Sequence, residues 1–503
     1  MDLLLSTNFL HNLVTTFGSQ TFWIKALELI LSLSILVFIH ELGHYMWARI
    51  FGIKVNKFYL FFNPSLTLWK WKPKNHKHAF MVRASNAKIT DEEGNEYEDE
   101  DEKEDAKLPS NYKATWRDTE YGLGWLPLGG YCAIDGMVDE TQSAEKLKRP
   151  VKDFEFRSKP AWKRLMVMIG GVLNNFLLAL VIYAGIVLAY GEEFIPMQNA
   201  TSGYEFSPSA HKIGFVDGDI PLSADGKKLE FLDGKAMQAM VEAKQVQVLR
   251  NGSDTVAINI PDKYLFTVNK EMEDGRNFIM LRTPVVVDKT MPNMGAEKAH
   301  LRHGDHLIAV NGVATPSFNV FTAQLLANKG KTVPLTVVRN ADTVTVDAPV
   351  DNAGKLGFQL ANPITFYKTI TKHYNIVECV PRGIKLGVDQ MVSYVKSLRL
   401  IFTKEGAQSL GSFGAIGNLF PEKWDWQYFW SITAFLSIIL AVMNILPIPI
   451  LDGGYVLFLL VEIIFRKKPS MKFMNVALRI GLWFIILLMV YAIGNDVYRF
   501  LIK

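Results

Sequence analysis

His40-Glu41-Leu42-Gly43-His44 sets two imidazoles one helical turn apart with a carboxylate between them. On a helix, positions i and i+4 share a face, so both rings can grip one metal ion while Glu41 stands beside it. That constellation predicts metal-assisted hydrolysis, with Glu41 as the base that handles the proton of an attacking water. A hydrolytic zinc commonly takes three protein ligands and keeps one position open, so a third ligand must come from elsewhere. Asp452 is the candidate, an acid in an otherwise apolar stretch, at a turn broken by Pro447, Pro449, Gly453 and Gly454. An aspartate before Gly-Gly is often only a turn residue. At membrane depth, however, irregular backbone is tolerated only beside a cavity or inside protein. The bland alternative for the histidines is a pair satisfied by neighbouring helices. It must carry the cost of burying two imidazoles and a carboxylate in apolar surroundings, where such groups are functional by default.

The elements that would hold these residues are membrane helices. Of 503 residues, 49% are hydrophobic while 21% are charged, a mixture of apolar spans and sizeable water-exposed parts. The net charge of +4 points to no anionic partner, nucleic acid included. Apolar runs at about 22–51, 165–190, 429–465 (broken at 447–454) and 476–493 predict four transmembrane spans. The first is too long, and begins too far in, to read as a signal peptide. Lys152, Arg157, Lys159, Lys163 and Arg164 before the second span, and Arg466, Lys467, Lys468 and Lys472 before the fourth, orient the chain. By the positive-inside rule, residues 52–160 and 466–475 are cytoplasmic, and both termini and 191–427 are external. Cys132 and Cys379 then lie on opposite sides and cannot pair.

Between the spans, an acidic tract at 91–105 reads as a solvated, disordered insertion. Around it, 57–71 and 121–131 are rich in aromatic and β-branched residues and read as strands of a membrane-associated β-rich loop. The external segment repeats a pattern: Asp217-Gly-Asp219 then Asp225-Gly226, and Gly304-Asp305 then Asn311-Gly312. Matched turn signals predict two similar small domains, at 191–282 and 283–361, that resemble tandem PDZ domains. Such folds can take an extended peptide at a sheet edge, or act as a steric shield. Within the juxtamembrane segment 362–427, Ile384, Val388, Met391, Val392 and Val395 stand at helical spacing. They predict an amphipathic helix at the external interface or against the PDZ-like pair. The whole is a polytopic α-helical membrane protein: N-terminus and first span (1–51), β-rich loop (52–160), second span (161–190), the inserted domains, the broken third span (428–465), a cytoplasmic loop (466–475) and the last span (476–503).

Three motifs in order now carry a resemblance: HELGH in the first span, Gly171-Val-Leu-Asn-Asn175 in the second, and Asn444-Ile-Leu-Pro-Ile-Pro-Ile-Leu-Asp452-Gly in the third. With Leu126-Pro-Leu-Gly129-Gly130-Tyr131 and the tandem insertion, the chain resembles bacterial site-2 proteases of the RseP type over nearly its whole length. The resemblance implies an intramembrane metalloprotease of the bacterial inner membrane with one zinc ion per chain. His40, His44 and Asp452 would be ligands and Glu41 the base, with Asn444, Gly171, Asn175, Gly129 and Gly130 towards the substrate. Substrates would be pre-trimmed single-span proteins such as anti-sigma factors, or remnant signal peptides. Two departures concern substrate admission: Phe61-Phe62-Asn63 stands where the family commonly has Gly-Phe-Gly, and the acidic tract lengthens that loop. Rival readings are a membrane receptor or transporter that binds metal without hydrolysis, and a PDZ scaffold on inert anchors. Glu41 separates them, since only a hydrolase needs a carboxylate between the histidines.

Overall fold

The computed structural model describes residues 19–83, 89–90, 96–97, 103, 107–137, 150–273, 276–291, 294–399 and 416–501. The acidic tract 91–105 lies outside them except at 96–97 and 103. The chain divides into two units, one running to Tyr190 and resuming at Tyr374, the other Gly191–His373.

The first unit is built on helices. Ser19 caps α1 (Gln20–Ile50) by accepting from the Phe22 N–H at 3.2 Å, and the chain leaves it through Gly52 at φ +66°. Pro160 precedes α2 (Ala161–Tyr190), four residues earlier than the apolar run suggested, because Trp162, Lys163 and Arg164 extend the helix past its apolar part. The broken third stretch resolves into two helices. Asp425 caps α4 (Trp426–Ile445), and after residues 446–451 the chain resumes as α5 (Asp452–Phe465). At 14 residues, α5 is about 21 Å long, short of the ~30 Å hydrocarbon layer. The last helix, α6, is Met471–Leu501. Among the described residues, four helical stretches are long and apolar enough to cross a membrane: Gln20–Ile50, Ala161–Tyr190, Trp426–Ile445 and Lys472–Asn495.

The helix expected near 383–403 begins earlier, at Asn375, whose side chain and Glu378 form a capping box for α3 (Ile376–Leu398). It lies against α2. A Cβ on Gly383 would meet the Ala184 nitrogen at 2.4 Å, and one on Gly387 would meet Leu180 Cδ2 at 2.4 Å. Small residues at i and i+4 thus let two backbones approach. Ile384, Val388, Val392 and Val395 stay exposed on it, as an apolar stripe facing lipid would.

The β-rich loop is a three-stranded antiparallel sheet. β1 (Val55–Lys72) lies between β2 (Lys77–Arg83) and β3 (Glu120–Ile134), which leaves β3 at an edge. Tyr59 pairs with Tyr131 and Leu60 with Gly130. The two tyrosine rings stack at 5.1 Å, and the Tyr59 hydroxyl donates to Glu120 at 2.6 Å. Phe61 takes φ +69°, a left-handed conformation that glycine adopts freely and phenylalanine does not.

The second unit holds the repeat as two cores, one between Met197 and Ile279 and one between Val285 and Leu356. Each carries a four-stranded sheet of the same order. In the first, β6 (Gln245–Arg250) lies between β4 (Ile220–Ala224) and β7 (Asp254–Asn259), with β5 (Lys227–Lys228) beyond β4. In the second, β10 (Thr332–Arg339) lies between β8 (His306–Val310) and β11 (Asp342–Pro349), with β9 (Val313–Ala314) beyond β8. The repeat extends to side chains. Arg250 grips buried Asp219 with Nη2 at 2.7 Å from Oδ2, and Arg339 grips buried Asp305 at 2.6 Å. Each arginine also donates to a backbone carbonyl upstream, of Gly214 or His300.

Burial pushes the Asp305 carboxyl up, but the bonds from the Arg339 guanidinium and the Arg302 N–H outweigh it and hold it below the usual carboxylate range. A depressed folded value means its stabilisation is complete above the unfolded pKa of about 3.9 and is lost as pH falls through the folded value. We expect Asp305→Asn to cost this copy about 2–3 kcal/mol. Pulse proteolysis of the full chain in urea should show β8–β11 weakening in the wild type as pH falls below about 3.9. The variant should show much less of that dependence.

Candidate metal centre

α1 carries His40 and His44 on one face, and α5 begins at Asp452, so two separate helices deliver three ligand-type side chains to one point. His40 Nε2 lies 3.2 Å from Asp452 Oδ2, His44 Nε2 lies 3.4 Å from it, and the two Nε2 atoms are 3.2 Å apart. All three atoms fall within 4.8 Å of one another. Asp452 Oδ2 is buried yet has no hydrogen-bond donor directed at it. A buried carboxylate oxygen facing two ring nitrogens without a proper donor is the arrangement a cation completes, and N, N and O donors at this spacing suit zinc.

Partners on the far side of each ring fix its orientation. His44 Nδ1 lies 2.9 Å from the Val167 carbonyl of α2, which can only accept, so Nδ1 carries the proton and Nε2 presents its lone pair. Asn175 reaches His40 Nδ1 at 3.3 Å, and its own Oδ1 is buried without a partner. With the amide turned over, Oδ1 accepts from Nδ1–H, which satisfies the orphan and frees His40 Nε2. The Ser437 hydroxyl donates to the Asn175 carbonyl at 2.7 Å and ties this residue to α4. Asn444, near the end of α4, places Nδ2 3.3 Å from His40 Nε2.

Glycines set the spacing. A Cβ on Gly171 would meet His44 Nε2 at 2.5 Å and His40 Cε1 at 2.7 Å, so α2 can lie under both rings only without a side chain there. A Cβ on Gly43 would meet the Gly170 carbonyl oxygen at 2.2 Å, and one on Gly453 the Leu446 carbonyl oxygen at 2.1 Å. Within the turn that presents Asp452, Ile450 takes φ +89°, an uncommon conformation for a β-branched residue and a form of local strain found at functional sites. Arg164 of α2 donates to Glu462 of α5 at 2.5 Å, both mostly buried, which anchors the far end of the helix that starts with Asp452.

The cluster opens on a cavity of about 550 Å³ whose wall includes Glu41, Phe62, Tyr131, Cys132 and Arg479. His40, His44, Asp452 and Glu41 therefore meet there, Asn175 and Asn444 flank His40, and Gly171 underlies the rings. Gly129 and Gly130 lie on β3, packed against the Phe62 ring and the Tyr59 carbonyl, and Gly130 also faces Val37 of α1. They bring the sheet close to the helix instead of touching the cluster. Sequence reading missed the Val167 carbonyl, which leaves no trace in a side chain. It also missed Asn475 and Arg479, whose signal was polar residues at the start of an apolar helix.

The family model described as Peptidase family M50 matches residues 28–109 and 108–488. The chain is 27% identical over 496 residues to the Regulator of sigma E protease of Haemophilus influenzae, covering 93% of this chain and 98% of that one. It is 25% identical over 499 residues to the Regulator of sigma-E protease RseP of Escherichia coli, with 93% and 97% covered. Against the Protease RseP of Yersinia pestis it is 24% identical over 496 residues, again with 93% and 97% covered.

The crossing at Gly43 gives a direct test of the helix spacing. Gly43→Ala should separate α1 from α2 and destabilise the membrane unit by about 1–3 kcal/mol. Spin labels on exposed positions of the two helices should report the wider separation, and thermal unfolding in detergent the lowered stability.

Proposed function

The chain belongs to peptidase family M50, and we propose that it is a zinc-dependent intramembrane protease centred on His40, His44 and Asp452, with Glu41 as its base. The observation that carries this reading is the meeting of three ligand atoms from two helices around a buried carboxylate oxygen that lacks a donor. When bound, zinc would lower the pKa of a coordinated water and polarise the scissile carbonyl. Glu41 takes the proton as the water oxygen bonds to the carbonyl carbon, and returns it to the amide nitrogen as the C–N bond breaks. The Val167 carbonyl and Asn175 hold the two rings in the tautomers that leave both Nε2 atoms available. Asn444 stands beside the cluster as a substrate-contacting side chain.

A peptide bond within a helix is shielded by its own hydrogen bonds, so the substrate must unwind before it is cut. β3 lies at a sheet edge, and its Tyr131 and Cys132 line the cavity, so edge addition there would pair the unwound backbone. Gly130 keeps that strand against α1, Gly129 leaves room for the Phe62 ring, and Gly171 keeps α2 under the rings. The substrates we propose are single-span membrane proteins already trimmed outside, such as anti-sigma factors or remnant signal peptides. Three relatives named as sigma-E regulators or RseP support that class. The basic clusters beside α2 and α6 favour a bacterial inner-membrane placement with the sheet in the cytoplasm and the duplicated unit, read as PDZ-like, outside.

Glu41→Gln should lower cleavage of a single-span substrate by about a thousandfold or more while one zinc ion per chain is retained. Asp452→Ala should lose zinc and activity together. Metal analysis of purified protein beside a cleavage assay in liposomes checks both. A Glu41→Gln protein that cleaves like the wild type would sink the assignment of Glu41 as the base, and a wild type that binds zinc but cuts no substrate would sink the hydrolase reading. Deleting residues 205–360 should preserve cleavage of short substrates and newly permit cleavage of untrimmed ones. A deletion protein that retains zinc but cuts neither would end the view of the inserted unit as a size filter.

A further inference from the structure

The last helix brings a positive charge into the catalytic cavity. Asn475, Leu478, Arg479 and Leu482 of α6 all line it. Their spacing of three, one and three residues is that of one helix face. From Ile480 to Ile493 the helix has no charged residue, and Asn475 and Arg479, both exposed, are the polar residues of the face that lines the cavity. The helix is also held in place. A Cβ on Gly481 would lie 1.9 Å from the Pro449 carbonyl oxygen, so α6 rests directly on the turn that presents Asp452.

Among the described residues, neither Arg479 nor Asn475 has an ion-pair or hydrogen-bond partner, so their donors are open to a ligand. The acids of the cavity are otherwise engaged, Asp452 against the two imidazoles and Glu41 with the backbone of Cys132. What remains in need of donors is the substrate. Each residue of an unwound span exposes a carbonyl that has lost its helical N–H, and in a water-poor site every such group needs a replacement. β3 can serve one edge of that segment. A guanidinium with five N–H groups in a fixed fork, and an amide one turn away, can serve the other.

We propose that Arg479, together with Asn475, forms a polar rail that holds the main-chain carbonyls of the unwound substrate segment in the cavity. The inference rests on the protease reading above. It makes Arg479 a substrate-binding residue that sets affinity and leaves metal and base untouched. The competing explanation is an anchoring arginine that reaches for the membrane surface, as cations near helix ends do. An anchor needs only a charge, so lysine would replace it. A rail needs the fork.

The test uses the full chain in liposomes with a single-span peptide substrate, comparing wild type, Arg479→Met, Arg479→Lys and Asn475→Leu. Both arginine variants should raise KM by about tenfold, the size of a lost charge-assisted hydrogen bond. Their kcat should stay within about threefold of wild type, and zinc should stay at one per chain. Asn475→Leu should move KM in the same direction by less. Should Arg479→Met fail to accumulate, Arg479→Lys carries the test. Unchanged KM in both arginine variants, or a lysine variant equal to wild type, overturns the rail. So does loss of zinc, or a fall in kcat at constant KM, which would make α6 a support for the Asp452 turn. The Glu41→Gln control separates the two ideas. If it is inactive while the Arg479 variants match wild type, the rail fails and the protease stands. If the wild type itself cuts no substrate, the protease reading fails.

Discussion

Everything in the membrane unit follows from the difficulty of keeping a carboxylate, two imidazoles and a hydrolytic water among apolar helices. A buried charge is tolerable only when it is paired and its remaining polar atoms are satisfied. The Asp452 oxygen lies between two Nε2 atoms, the opposite edge of one ring faces the Val167 carbonyl, and that of the other faces Asn175. Each of these partners comes from a neighbouring helix, so the helices must approach closely. Gly43, Gly170, Gly171 and Gly453 are where they do so. The polar centre and the glycine contacts are thus one requirement seen from two sides.

Much of the centre was legible because its chemistry is local. HELGH is a one-turn motif, and an acid at a proline-broken turn in an apolar run has few innocent explanations. The strands at 57–71 and 121–131, and the duplicated external pattern, followed from turn residues and alternation. What was not legible depended on tertiary distance. Nothing in the sequence around Val167 marks its carbonyl as a ring partner, because every residue has one. The packing of Gly383 and Gly387 onto α2 could not be told from an interfacial helix, since both need the same amphipathic spacing. The third apolar stretch could be seen to break, but not that only its first half forms a helix of spanning length. Hydropathy averages across a turn of six residues.

The departure at Phe61 takes on a physical meaning in the structure. The residue occupies a left-handed position that glycine adopts freely, so the loop accepts the cost of a side chain there. The neighbouring Phe62 ring covers Gly129 and lines the cavity. The loop thus offers the cavity an aromatic surface beside the paired Tyr59 and Tyr131. Similarly, the Asp–Arg clasp present in both halves of the second unit holds the same turn in each, while the intervening helices and loops differ.

His44 lies six residues before the end of α1, and Val167 six residues after the start of α2. At 1.5 Å per residue, each is about 9 Å from the helix end where the sheet is attached. The centre is therefore set off-middle along both helices, towards the same end of the pair. Water entering from that rim has only two or three molecular diameters to travel.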